Sequence, residues 1–322
     1  MRQLRGRHLE DPIKEISAAQ LIGSYHPNVL GCTEVLQDDE YLYTIMPYCS
    51  GGDLFGRIMG NDKTRSDSQL SDKTFDQAGI QVEEGQARIW FRQLLSVRVE
   101  TKWFAILPIS GTQIILMLQG LFHFQRKGVC HRDISLENLM VDDYDELKII
   151  DMGMCLRVPY VDEDNQVSDS VTDVSEGTER LLMKSQGQGG KLMYMAPEVV
   201  AREDVFDGFA IDLWASGVVL FVMLIGLAPF KWAHPSDKRY AKIAKGNLKE
   251  MMSGLHINLS EEACDLLQNM FWRDPRKRLT LAQIMQHPWV QNKKFAAPSK
   301  LPGAKGTHMH SQSIWKRAMA HV

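Results

Sequence analysis

Apolar and polar positions alternate on two different periods along the 322 residues. Asp11 to Ser24 reads as a helix, and His26-Pro27-Asn28 ends it, because proline has no amide hydrogen to donate and fixes its own φ. Val29 to Leu36 and Tyr41 to Met46 read as two strands joined by the polar turn Gln37-Asp38-Asp39-Glu40. Asn61 to Glu84 is polar and rich in Ser, Asp and Gln, so a surface loop without its own core is expected there. Helical spacing returns at Ala87 to Ser96 through Ile89, Trp90, Phe91, Leu94 and Leu95, and Gly120 to Val129 looks like the second half of the same helix. Two further runs are long and apolar. Phe104 to Phe122 approaches membrane length, but Pro108, Ser110, Gly111, Thr112 and two glutamines argue against a span. Ala215 to Leu227 is apolar all round, which predicts a helix buried in the core of a large domain.

Composition narrows the class. At 44% hydrophobic and 24% charged residues the chain has the make-up of a soluble globular protein with a sizeable core. A net charge of -3 gives no reason to expect nucleic acid or an anionic membrane as partner. Five cysteines are scattered singly, without the paired spacing of a zinc site or a disulfide framework, so an intracellular, cytoplasmic or nuclear, setting is expected. The basic N-terminus, Met1 to Arg7, has no apolar run behind it and is not a secretory signal.

The chemistry concentrates at His131-Arg132-Asp133-Ile134-Ser135-Leu136-Glu137-Asn138 and, after the apolar strand Leu147 to Ile150, at Asp151-Met152-Gly153. Asp133 is a proton acceptor, and Asn138 and Asp151 are two hard oxygen ligands suited to Mg2+. The first stretch matches H-R-D-x-x-x-x-N and the second resembles D-F-G with Met for Phe, so the chain resembles the eukaryotic protein kinases. Tyr194-Met195-Ala196-Pro197-Glu198 is similar to A-P-E, Asp212-Leu213-Trp214-Ala215-Ser216-Gly217 to D-x-W-x-x-G, and Arg273 to Thr280 to the stretch whose arginine, here Arg278, pairs with the A-P-E glutamate, here Glu198. His287-Pro288-Trp289 resembles the terminal helix of the calcium/calmodulin-dependent group.

This resemblance implies an α+β, bilobal fold with a mainly helical large lobe over 49–293 and a partial small lobe over 1–48 lacking its first three strands. Residues 294–322 are expected to be a flexible tail, whose His308, His310 and His321 have no spacing that suits a closed metal site. The implied activity is transfer of the ATP γ-phosphoryl group to serine or threonine of a protein, with Asp133 taking the hydroxyl proton and Asn138 and Asp151 holding Mg2+. Met46 to Leu54 takes the place of the hinge. Adenine is expected on the Pro47 carbonyl and the Cys49 N–H and carbonyl, with Met46 as gatekeeper and Asp53 as ribose contact. Glu15 takes the place of the carboxylate that pairs with a phosphate-holding lysine. Ser168, Ser170, Thr172, Ser175 and Thr178 are candidate sites for an upstream activating kinase, and Glu137 suits a basic residue ahead of the target.

Three departures weigh on the activity. No G-x-G-x-x-G and no V-A-I-K stands ahead of Glu15, so impaired transfer is expected. Val97 to Gln119 interrupts a helix, starts with a residue whose codons begin GT and ends with one that CAG encodes. A retained intron is expected there, with a genuine insertion as the alternative. Finally, Ser135 stands where the family usually has lysine, and Lys191 where it usually has threonine; the two residue types are exchanged, which points to Lys191 as the source of the ammonium. An active kinase, a partner-binding pseudokinase and the product of a mis-assembled gene model all stay open.

Overall fold

The computed structural model describes residues 12–23, 26–59, 82–95, 120–158, 160–161, 179–180, 182–185 and 190–291. Helix α1 (Pro12–Ile22) buries Ala18 and Ile22. Strands β1 (Glu34–Gln37) and β2 (Leu42–Ile45) form an antiparallel hairpin with Glu34 opposite Ile45 and Gln37 opposite Leu42. Asp38 shapes its turn, because Oδ1 accepts from the amides of Glu40 and Tyr41 and Oδ2 from the Tyr43 hydroxyl. Both faces of the hairpin are open: Val35, Leu36, Tyr43 and Ile45 are exposed. The expected strand from Val29 starts later than its pattern suggests. Val29 bridges to Ile149 in parallel, and Asn28 and Leu30 exchange main-chain hydrogen bonds with Ile149, so this segment joins the large lobe.

The large lobe begins with α2 (Leu54–Met59), α3 (Glu84–Leu95) and α4 (Gly120–Arg126). Residues 60–81 and 96–119, and with them most of the expected loop, the Val97 to Gln119 insert and nearly all of the Phe104 to Phe122 run, lie outside the described residues. The flanks of the insert are in contact. A Cβ on Gly120 would stand 2.5 Å from the Leu94 carbonyl oxygen and 3.0 Å from that of Gln93, so α4 starts against the last carbonyls of α3. Short antiparallel pairs follow: β3 (Val129–Cys130) with β6 (Leu156–Arg157), β4 (Leu139–Val141) with β5 (Leu147–Ile149), β7 (Tyr160–Val161) with β8 (Glu179–Arg180), and β9 (Met183–Lys184) with β10 (Val205–Phe206).

After the short α5 (Pro197–Val200) comes the axis of the lobe, α6 (Gly208–Ile225), every residue of which is buried. It begins ahead of the apolar run that predicts it, because Asp207 caps it by accepting from the amides of Phe209 and Ala210. Gly226, at φ 75°, closes it. Among the described residues α6 is the one helix long and apolar enough to cross a membrane, and it is wholly enclosed by protein. Trp214 on this helix packs on Phe230, Tyr240 and Phe271.

Helices α7 (Lys238–Ile243), α8 (Leu248–Gly254), α9 (Glu261–Met270), α10 (Leu281–Gln286) and α11 (Pro288–Gln291) complete the lobe. The last is clamped onto α3. Glu84 accepts from Arg88, Ser260 and the Trp289 indole, while Arg88 and Arg92 donate to the Trp289 and Val290 carbonyls.

Candidate active site

Strand β3 delivers the chain into a loop that its own sequence would not hold in place. Arg132 sits at φ 69°, a left-handed conformation that costs energy for a residue with a Cβ. The loop is held from below by Asp212 on α6, whose two carboxylate oxygens accept from the amides of His131 at 2.6 Å and Arg132 at 2.7 Å. Burial pushes the Asp212 carboxyl up to about 7, against the pull of those two amides. His131, fully buried, accepts from the Asp133 amide on Nδ1 at 3.3 Å and meets the Ile150 carbonyl with Nε2 at 3.0 Å, so its single proton lies on Nε2. Burial lowers this imidazole to about 4, which keeps it neutral.

These bonds converge on Asp133. The Asn138 amide donates to both the Asp133 carbonyl and its Oδ2, each at 2.8 Å. Its other oxygen, Oδ1, is buried, and the Lys191 main-chain amide approaches the carboxylate. Burial raises the Asp133 carboxyl above its ordinary value, while the ammonium of Lys191, the Asn138 amide and the Lys191 main-chain amide draw it down. Asp151 is brought alongside, since the Ile150 amide donates to the Asn138 carbonyl at 3.0 Å. Asp151 takes φ 64°, and its Oδ1 accepts from the Gly153 amide at 3.1 Å.

From the other side comes the segment ahead of α5. Gly190 has φ 88° and lies so close that a Cβ would stand 3.0 Å from both the Arg132 carbonyl oxygen and Asp133 Oδ1. Lys191 Nζ donates to Ser135 Oγ at 2.7 Å and stands 3.3 Å from Glu137 Oε2. A small cavity opens beside them, lined also by Arg132, Tyr194 and Phe206. The expected ion pair at the end of this segment is present and bidentate: Arg278 Nη1 and Nη2 reach Glu198 Oε1 and Oε2 at 2.8 and 2.6 Å.

The expected nucleotide side forms a separate strip. Met46 and Pro47 are exposed and Cys49 is buried. The Cys49 carbonyl accepts from the Gly52 amide at 3.3 Å, so a turn already uses part of its capacity. Asp53 Oδ1 accepts from the Gly56 amide at 2.6 Å, which caps the start of α2. Asp53 also bridges to Met140, just past Asn138, which ties the strip to the loop. Glu15 lies in the first turn of α1, half-buried. The charge of neighbouring Lys14 is felt at the buried Cys155 thiol, so this turn lies near the Asp151-Met152-Gly153 segment.

The structure thus gathers Asp133, Ser135, Asn138, Asp151 and Lys191 in one place. Sequence reasoning takes Asp212 only for the start of an apolar helix and passes over Gly190. A lone carboxylate on an otherwise apolar helix was the available signal, since such a charge stays buried only with donors to face.

A profile of the protein kinase domain matches residues 110–290, more than half of the chain. The chain belongs to the protein kinase family. Relatives of this kinase include the Arabidopsis thaliana serine/threonine-protein kinase SRK2C, 30% identical over 268 residues that make up 82% of this chain and 59% of that protein. The Arabidopsis thaliana calcium-dependent protein kinase 21 is 28% identical over 88% of this chain and 41% of its own length. The mouse serine/threonine-protein kinase DCLK3 is 27% identical over 90% of this chain and 28% of its own length. The kinase chain therefore spans from about a quarter to three fifths of these curated relatives.

Proposed function

We propose that the chain is a serine/threonine protein kinase, transferring the γ-phosphoryl group of ATP to a hydroxyl of a protein substrate. The observation that carries this reading is the buried Asp133 carboxylate, oriented through Oδ2 by the Asn138 amide in a loop that Asp212 anchors. Burial with a raised carboxyl suits an acceptor for a proton released only during reaction. Asn138 fixes its orientation, and Asp212 and His131 hold the loop.

The donor set fits a hard divalent cation such as Mg2+. The nitrogen of the Asn138 amide is bound to Asp133, which turns its oxygen away, and Asp151 adds a second hard oxygen. When bound, such an ion neutralises phosphate charge. Adenine is assigned to the Pro47 carbonyl and the Cys49 amide and carbonyl, the ribose to Asp53, and Met46 is the gatekeeper.

Apolar side chains stand open on both faces of the β1–β2 hairpin, which suits a protein partner, so a partner-binding role without transfer is the second reading. Regulation by an upstream kinase is assigned to Ser168, Ser170, Thr172, Ser175 or Thr178, which lie outside the described residues. An intracellular setting is assigned from the scattered, singly spaced cysteines of the sequence.

Transfer of labelled γ-phosphate from ATP to a panel of Ser- and Thr-containing peptides, by the 322-residue chain and by its Asp133→Asn variant, tests the reading. Slow transfer that the substitution abolishes supports it. Equal rates from both chains would refute it, and nucleotide binding without transfer would favour the second reading.

A further inference from the structure

Between Asp133 and Asn138 the loop contains Ile134, Ser135, Leu136 and Glu137, and none of them is a cation. An ammonium nevertheless stands there. Lys191 arrives from a different part of the chain, donates to Ser135 Oγ at 2.7 Å and stands 3.3 Å from Glu137 Oε2, near enough for its charge to be felt by Asp133.

Its position is built on both sides. Gly190 turns at φ 88° against the Asp133 carboxylate, where any Cβ would crowd Oδ1 at 3.0 Å, and so sets the next residue beside the loop. After Lys191, the Tyr194 amide donates to the Lys191 carbonyl at 2.9 Å, and the Tyr194 hydroxyl accepts from the Leu136 amide at 3.4 Å. One tyrosine thus closes the turn after the lysine with its amide and ties it to the loop with its hydroxyl. Ser135 is fully buried, and Lys191 and Glu137 are each about one third exposed (33% and 28%). An ion pair so open to water adds little stability, so folding alone does not account for the arrangement. Lys191 and Asp133 line one cavity together.

Resting on the kinase reading, we propose that Lys191 is the cation that meets the transferring phosphoryl group, with Ser135 and Glu137 holding it in place until nucleotide arrives. In the transfer the bond from the γ-phosphorus to the bridging oxygen breaks and a bond to the substrate hydroxyl oxygen forms. The hydroxyl proton passes to Asp133 and ADP leaves, while Lys191 keeps its proton throughout and offsets charge on the phosphoryl oxygens. A cation delivered by this segment also makes catalysis depend on its conformation, because moving Gly190 and Tyr194 withdraws the ammonium.

The 322-residue chain, its Lys191→Met variant and the double variant Ser135→Lys with Lys191→Thr separate the possibilities. The first readout is binding of inorganic tripolyphosphate by calorimetry, which needs no catalysis. Lys191→Met is expected to weaken it about tenfold or more, the scale of one charge-assisted hydrogen bond, and the double variant to recover most of the loss. The second readout is phosphoryl transfer to a serine peptide. Lys191→Met is expected to lower kcat on the order of 10²-fold with the peptide KM little changed, and the double variant to regain most of that rate. Tripolyphosphate that fails to bind the wild-type chain, or that binds Lys191→Met equally well, overturns the assignment. The Asp133→Asn comparison judges the kinase reading by itself, so loss of that reading leaves the anion result to stand or fall separately.

Discussion

Replacing Arg278 by leucine removes one half of an ion pair that has no water to turn to. The Arg278 and Glu198 side chains are 1% and 3% exposed, and two hydrogen bonds of 2.8 and 2.6 Å join them. The same guanidinium donates to the Trp272 and Arg273 carbonyls at 2.8 and 3.0 Å and stacks 4.8 Å from the Trp214 ring centroid. Its loss strands a buried carboxylate, which costs about 3 to 5 kcal/mol. Two carbonyls also lose a donor, adding roughly 1 kcal/mol each. The total, about 5 to 7 kcal/mol, is comparable to the whole stability of many domains. Urea unfolding followed by tryptophan fluorescence at pH 7.5 measures it, with Trp214 as a reporter at the lesion. Glu198→Met combined with Arg278→Leu should be milder than Arg278→Leu alone, because it leaves no stranded charge. An Arg278→Leu protein within about 1 kcal/mol of wild type, or a double variant as damaged as the sum of the two single changes, would refute the reasoning.

Two other outcomes follow from the same kind of accounting. His26 is stacked on His123, and burial, then the charges of His123 and Lys148, lower its imidazole to about 3. The unfolded chain takes up that proton near 6.5, so this contribution to stability is whole above pH 6.5 and is lost as pH falls toward 3. His26→Gln should reduce the slope of stability against pH between 4 and 6 by about 1.4 kcal/mol per pH unit, and an unchanged acid limb in urea midpoints would contradict it. Deleting Val97 to Gln119 should join Ser96 to Gly120 and raise the thermal midpoint and soluble yield if the segment is a retained intron. A lowered midpoint, or transcripts that all keep the segment, would support a genuine insertion instead.

Much of the site was legible because its groups lie close together in sequence. Asp133 and Asn138 share one short loop, and Asp151 follows one hairpin later, so spacing alone suggests convergence. The Lys191–Ser135 contact spans 56 positions and was readable only as an exchange of residue types. Helix α6 was visible from its all-round apolarity, while its start was not, because the Asp207 cap lies outside the apolar run. Val29 misled for a physical reason: its β-branched character fits any strand, and what draws it to Ile149 is the neighbouring Asn28 side chain bonding the Leu147 carbonyl 119 positions away. Asp212 escaped because the cost of burying its charge is met by two amides from a distant loop, and an amide has no sequence signature.

The contact between Gly120 and the last carbonyls of α3 has a consequence for how the chain tolerates change. Both ends of whatever lies between Leu95 and Gly120 are already held together by the fold. Chain-closure entropy grows slowly with length, about 0.6 kcal/mol for each doubling of a connection between fixed ends. The junction is thus a port, through which the gene can gain or shed residues, and a reporter domain can be lodged, while the catalytic loop beyond it keeps its anchor on Asp212.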